Sequence, residues 1–263
     1  MSEPVRSTND WMAAVRAAEN RLSTPYLTDP WAQRLTGPEP ERVLNLLREQ
    51  HSPIDIVLVR GRFGDELLAE ALDSGVRQIV SLAAGTDARG WRLDLGAATF
   101  YEIDLPGQLA GKHAALGTPR NRVLALDADL RTDWVPTLVQ AGHRADEPTV
   151  WIIEGLFYYL SDDDADRLLG EVSAQSAPGS MLCLDIPDPA LLSDPELREF
   201  LDYCIDRGSP FIGSNADPEG WLRAHGWQAE AYLPDQLDKC EWLPDVPKRL
   251  RTYHDVWHVA ARR

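Results

Sequence analysis

The spacing of apolar positions divides the chain into two textures. Trp11, Val15, Ala18 and Leu22 recur at helical spacing behind Asn9, a candidate N-cap. Pro25 and the Asp29-Pro30 pair interrupt that pattern. Val43, Leu44, Leu46 and Leu47 then resume it, and residues 62–72 form a third helical run ended by Gly75. From Val76 onward, short apolar runs alternate with helical segments, as expected of a parallel sheet wound with crossover helices. The runs are residues 78–83, 99–103, 122–126, 150–153 and 181–186. Ser161, with Asp164 three residues on, forms a capping box for the helix before the last run, and the run of Asp162, Asp163 and Asp164 suits the positive end of that helix. Residues 187–217, rich in Pro, Asp and Gly, read as irregular, and a helix over 218–225 stops at Gly226. Residues 227–232 and 252–260 alternate like strands. The Pro- and Asp-containing loop joining them supplies no covering helix, so they are expected as an antiparallel pair at a sheet edge.

Composition is that of a globular chain. With 263 residues, 44% hydrophobic and 26% charged, it can bury one sizeable core. The expected organisation is a single domain: a helical lid and lead-in over 1–75, a ligand-binding core over 76–186, an insert over 187–217, and a closing helix and strands over 218–263. The net charge of −16 repels phosphate backbones and anionic lipid, which excludes nucleic acid and membrane surfaces as expected partners. The start lacks a basic flank followed by an apolar stretch, and no run of about 18 apolar residues occurs, so a cytoplasmic location is expected. Cys183, Cys204 and Cys240 are odd in number and far apart. They fit reduced structural thiols better than a disulfide framework or a metal site, and no metal is expected.

In a doubly wound sheet, ligands lie beyond the carboxyl ends of the strands, and four such ends carry suggestive groups. The first run leads into Ala84-Gly85-Thr86-Asp87, where Gly85 permits a tight turn and close approach of backbone to a ligand. The dinucleotide fingerprint GxGxxG is incomplete, since only Gly85 and Gly90 are present. A pyrophosphate cofactor needs that turn, whereas S-adenosylmethionine carries no phosphate, so the glycine pattern tilts toward the sulfonium cofactor. The second run ends in Asp104, a candidate acceptor for both ribose hydroxyls, with Glu102 in reserve. The third leads to Asp129 and Leu130, which suit the adenine amino group and ring, and the fourth ends at Glu154, beside the opening where a methyl group and its acceptor would meet.

The chain resembles the leucine carboxyl methyltransferase family, including its bacterial branch acting on polyketides and other small molecules. The matching segments, in order, are TDPWA at 28–32, VRGRF at 59–63, SLAAGTDARGWRL at 81–93, YEIDLP at 101–106, ADLR at 128–131 and WIIEGLFYYL at 151–160. The resemblance implies a Rossmann-like class I methyltransferase sheet with an antiparallel closing pair, preceded by the helical lid, and S-adenosyl-L-methionine as cofactor. It implies that Arg60, with Arg16, holds the carboxylate of the methionine part, a task suited to a guanidinium fork. It also places Gly85 at the cofactor turn, Asp104 on the ribose, Asp129 and Leu130 at the adenine, and Glu154 near the methionine amino group. Two departures stand out: Ala84 lies where the family often has Gly-Ala-Gly ordering, and residues 187–217 are short for an acceptor-binding insert.

The implied reaction is an in-line displacement at the sulfonium methyl, in which alignment matters more than covalent chemistry. The expected acceptor is the carboxylate or phenolic hydroxyl of a small molecule. A carboxylate is already ionised at neutral pH and needs no base, whereas a phenol benefits from one. Tyr158 and Tyr159 are candidates for the acceptor site, and His254 and His258 for a base. A nicotinamide-dependent oxidoreductase and a cofactor-binding protein without turnover stay open as alternatives.

Overall fold

A computed structural model describes residues 3–49, 56–251 and 255–263, with side chains from Asp10 onward. Seven strands, β1 (Gln78–Leu82), β2 (Thr99–Asp104), β3 (Arg122–Asp127), β4 (Thr149–Ile153), β5 (Met181–Pro187), β6 (Gln228–Tyr232) and β7 (Val256–Arg262), form one sheet in the order β3-β2-β1-β4-β5-β7-β6. Strands β1 to β5 pair in parallel, and β7 runs antiparallel to both β5 and β6. The central strands β1, β4 and β5 are buried along their whole length, which is why they read as nearly continuous apolar runs, interrupted by Gln78, Ser81, Thr149 and Asp185.

Alternation along the strands feeds two cores, one on each face. Ile79, Phe100, Val150, Ile152 and Cys183 pack beneath α1 (Glu3–Glu19), α3 (Pro40–Glu49) and α4 (Ile56–Asp73), while α2 (Ala32–Leu35) packs against α1. The intervening residues Val80, Ile103, Trp151, Leu182 and Leu184 face the other way, toward α8 (Asp162–Ala174) and α11 (Pro218–Ala224). Short helices α5 (Arg89–Arg92), α6 (Gln108–Leu116) and α7 (Val135–Gln140) lie in the crossovers between β1 and β4. Ser161 caps α8 by accepting from the Asp164 amide, and Asp217 caps α11 through the Gly220 amide. On the α8 face the buried indoles of Trp134, Trp151 and Trp227 each donate to an acceptor, Glu171 Oε2, Ser176 Oγ and Ser173 Oγ respectively, so their polar ends cost little to bury.

Several elements differ from the sequence expectation. Helix α1 begins at Glu3 and runs through Asn9, so Asn9 is no N-cap. Its residues Trp11, Ala14 and Val15 join the same core as α4, so its packing is continuous with that of the sheet. Helix α4 starts six residues before the expected Arg62, because residues 56–59 are all buried and hide their helical period. The stretch 187–217 holds α9 (Pro189–Ser193) and α10 (Arg198–Asp206) with a 3-10 turn at Pro195–Leu197 between them. Its Asp188-Pro189 and Asp194-Pro195 pairs are helix starts: each Asp side chain accepts the amide two residues on, and each Pro takes the first helical position. The last strand runs from Val256 to Arg262.

Candidate active site

Strand order reverses between β1 and β4, and a cavity of about 510 Å³ opens there at the strands' carboxyl ends. Arg16, Arg60, Gly85, Asp104, Asp129, Leu130 and Glu154 all line it, as do Tyr158 and Tyr159.

One end of the cavity is built from residues directly following β1, β2 and β3. The chain leaves β1 through Ala83, whose φ of 52° is in the left-handed region that side chains resist, and then turns at Gly85 with φ 45°. The sequence points to Ala84 as the unusual residue of this turn, but the strain falls on Ala83. The Gly85 amide donates to Asp104 Oδ2 and the Leu105 amide to Asp104 Oδ1, both at 2.8 Å. Asp104 is only 7% exposed. Burial raises its pKa, and the two amide hydrogen bonds work against that rise. Asp129 is chelated by Arg131 through Nε at 3.0 Å and Nη2 at 2.7 Å, which holds its carboxyl below the usual range, and Leu130 is buried beside it.

Glu102 belongs elsewhere. It is fully buried under α6, where Lys112 Nζ at 2.7 Å and His113 Nε2 at 2.8 Å hold its two oxygens, and it does not line the cavity. Two residues back from the strand end is deep enough to leave the ligand edge, so Glu102 is no substitute for Asp104.

The other end is assembled from distant segments. Arg89, 2% exposed, donates to Asp65 Oδ1 (2.7 Å), Asp87 Oδ2 (2.9 Å), both oxygens of Glu154 (2.8 and 3.1 Å) and the Gly61 carbonyl (2.9 Å). Gly64 explains its own place in the middle of α4: a Cβ there would fall on Glu154 Oε1 and within 2.7 Å of Arg89 Nη2. Burial pushes the Glu154 carboxyl upward against the pull of Arg89. At Asp87 the balance reverses. Burial works upward there too, but Arg89, Arg92 and Lys112 outweigh it and bring the pKa to about 2. Arg16 clamps α1 to the turn after β1, donating from Nε to Asp29 Oδ2 at 2.9 Å and from Nη2 to the Thr86 carbonyl at 2.7 Å. Arg60 donates from Nη1 to Asp185 Oδ2 at 3.0 Å, and the Tyr158 hydroxyl donates to the same oxygen at 2.6 Å.

Beyond Arg60 the wall turns aromatic. Trp11, Tyr158, Tyr159, Phe200 and Phe211 line it, with Phe211 centred 4.9 Å from Tyr158, 5.5 Å from Tyr159 and 5.7 Å from Phe200. The segment carrying Phe211 is fastened by the Ile212 and Gly213 amides, which donate to the Tyr158 carbonyl. His258 does not reach this wall. It lies 1% exposed on β7, outside the cavity lining, and burial lowers its pKa to about 4, so it is not a base for the acceptor. His254 falls outside the described residues.

Sequence reasoning passed over Arg89, Asp87 and Asp185. Arg89 and Asp87 stand in the matched segment 81–93, and Asp185 is a charged residue within an otherwise apolar strand run, a combination that calls for a buried partner.

The profile of the leucine carboxyl methyltransferase family matches residues 11–173, the stretch that carries nearly all of these cavity groups. The chain belongs to that family. A relative from Mycobacterium tuberculosis, provisionally named as an S-adenosyl-L-methionine-dependent methyltransferase, is 35% identical over 88% of this chain and 82% of its own length. A similarly named relative from Mycolicibacterium smegmatis is 32% identical over 100% of this chain and 97% of its own. Among solved structures, a DUF574 family protein of Streptomyces avermitilis superposes with a TM-score of 0.65 at 13% identity, covering 95% of this chain and 96% of that one. A provisionally named methyltransferase of Thermobifida fusca gives 0.65 at 16% identity, over 97% and 94% of the two chains. These two structures share the fold of this leucine carboxyl methyltransferase family member, and family membership makes it a methyltransferase. Among the described residues no helix is long and apolar enough to cross a membrane.

Proposed function

We propose that the protein transfers the methyl group of S-adenosylmethionine to an oxygen of a small, planar acceptor of polyketide type, a carboxylate in preference to a phenol. The observation that carries this is the convergence of Arg16, Arg60, Gly85, Asp104, Asp129, Leu130 and Glu154 on one cavity at the switch point. The donor set fits the cofactor. Asp104 keeps lone pairs for ribose hydroxyls beyond the two amides it accepts, Leu130 offers an apolar face to the adenine, and Arg60 and Arg16 offer donors to a carboxylate. Glu154 and Asp87 give the amino-acid end the negative charge that an ammonium group seeks. The cofactor supplies an electrophilic methyl group, and the protein's part is to hold donor and acceptor in line and to exclude water.

The aromatic wall supports a planar acceptor, because Tyr159 and Phe211 both line the cavity and meet edge to face 5.5 Å apart. Neither His nor Lys is among the described residues lining it, and Tyr158 donates its proton to Asp185 with a pKa pushed well above the usual range, chiefly by burial. An acceptor that arrives ionised meets no obstacle in such a site. We assign α1 the role of lid, since Trp11, Met12 and Arg16 form one side of the cavity. The three free, buried cysteines suit a reducing, cytoplasmic setting, and the acidic surface disfavours nucleic acid as acceptor.

Isolation of the protein with its endogenous ligand, followed by mass spectrometry, tests the reading. S-adenosylmethionine or its demethylated product is expected, and a nicotinamide dinucleotide would overturn the assignment. With a carboxylate acceptor the rate should stay flat from about pH 6 to 9, because the group is already ionised; a rate rising about tenfold per pH unit would instead show hydroxyl ionisation.

A further inference from the structure

We propose that Asp185 is a positioning residue: it sets Arg60, Tyr158 and the Gly155 amide around the end of the cavity that takes the amino-acid part of the cofactor. The proposal rests on the functional reading above. Asp185 lies 1% exposed on β5 and does not itself line the cavity. Its Oδ1 accepts from the Gly155 amide at 2.6 Å, and its Oδ2 accepts from the Tyr158 hydroxyl at 2.6 Å and Arg60 Nη1 at 3.0 Å. All three donors belong to residues that line the cavity, and they arrive from different places: α4, the turn leaving β4, and the 3-10 turn Phe157–Tyr159. One carboxylate thus gives three separate walls a common reference point.

The arrangement points past stability toward a ligand. Arg60 Nη1 is spent on Asp185, whereas Nη2 meets the thioether of Met12 at 3.4 Å, a weak acceptor. A partly buried guanidinium so held, always protonated, is fixed by Asp185 and retains a donor edge for a second carboxylate. Gly155, at φ 67°, closes the other side, since a Cβ there would come within 2.9 Å of Arg60 Nη1. The guanidinium therefore has little room to move while Asp185 and Gly155 are in place. Residues 258 and 185 are paired across β7 and β5, yet neither ring nitrogen of His258 has a hydrogen-bond partner among the described residues. The bonds of Asp185 point to the cavity side.

Two ligands separate positioning from general structure. S-adenosylhomocysteine carries the amino-acid part, and 5′-methylthioadenosine lacks it. In calorimetric titrations of the full chain, Asp185→Asn should weaken S-adenosylhomocysteine by about 10- to 100-fold and leave 5′-methylthioadenosine within about twofold of the native protein. Equal weakening of both would show a merely structural role and overturn the proposal, as would unchanged affinity for S-adenosylhomocysteine. Should Asp185→Asn fail to fold, Tyr158→Phe decides, because it keeps the ring and removes one of the three donors. A selective loss of about 3- to 10-fold for S-adenosylhomocysteine is then expected, and equal losses overturn it. A native protein that binds neither ligand would overturn the functional reading itself, which the variant ratios do not test.

Discussion

The two ends of the cavity are held by different physics. At the end formed by Gly85, Asp104, Asp129 and Leu130, the contacts are short in sequence or link adjacent strands: Asp104 accepts amides one and 19 residues away, and Asp129 is chelated by a side chain two residues on. At the end formed by Arg16, Arg60, Arg89, Glu154 and Asp185, the contacts that join separate elements reach much farther: Arg89 to Glu154 spans 65 residues, Arg16 to Thr86 spans 70 and Arg60 to Asp185 spans 125. The first end is a by-product of where parallel strands stop. The second exists because buried charges must find one another, and only the folded chain lets them do so. Asp104 and Asp87 display the contrast in one property, since burial dominates at the first and raises its pKa, while neighbouring cations dominate at the second and lower it.

The harshest way to break this comparison is Arg89→Met. It strips Asp87 and Glu154 of their common guanidinium partner in a buried place, which should cost about 3–5 kcal/mol of folding stability or prevent folding. Arg89→Lys should recover little, because a compact ammonium cannot span the acceptors that the guanidinium fork serves. Urea melts of the two variants would check this, and a native midpoint in either would show that the network is dispensable.

Asp104→Asn probes the other end more gently. Loss of a charged acceptor for ribose should weaken S-adenosylhomocysteine by about 10- to 100-fold. Because both oxygens also accept backbone amides, the introduced NH₂ group must oppose either the Gly85 or the Leu105 amide, so stability should fall too, by about 1–3 kcal/mol. Titration calorimetry and thermal melting together check both losses. Native affinity in a folded variant would remove Asp104 from the ribose site.

Acidity should reach the charge-built end from behind. His258 has its pKa lowered to about 4 by burial, with Arg60 adding to the fall and Asp185 opposing it, and burial does the same for His143. Between about pH 6.5 and pH 4 the unfolded chain binds protons that the folded chain refuses, so stability drops as pH falls, by about 1.4 kcal/mol per pH unit for each histidine. Asp87, held at about 2, loses its contribution only at lower pH, as acid passes from the ordinary carboxylate value toward 2. His258→Phe should lessen the slope above pH 4 and leave the lower window untouched. An unchanged slope in denaturant titrations across pH would refute the assignment.

The smallest effect is expected at the turn after β1. Ala83→Gly relieves a side chain from positive φ, worth about 1 kcal/mol of strain, partly offset by the greater freedom of glycine in the unfolded chain. A thermal midpoint that rises slightly or stays level fits this, whereas a clear fall would show that the Ala83 methyl group contributes packing that outweighs its strain.

The sequence by itself determined the sheet and one end of its cavity. A near-continuous apolar run has to bury both faces when helices cover both sides of the sheet, and a parallel strand has to deliver its next residues to the ligand edge; Gly85, Asp104, Asp129 and Leu130 were therefore legible as a set. The Asp-Pro helix starts at Asp188 and Asp194 were equally local and could have been read from the same rules. Tertiary structure alone decided which carboxylate meets which arginine. It sent Glu102 beneath α6 to Lys112 and His113, two residues from the cavity edge that Asp104 occupies, and it made Arg89 and Asp185 the anchors of residues far from them in the chain. A strand pattern says which face a side chain occupies, but in a low-dielectric interior the partner of a charge is fixed by distances that no local spacing encodes.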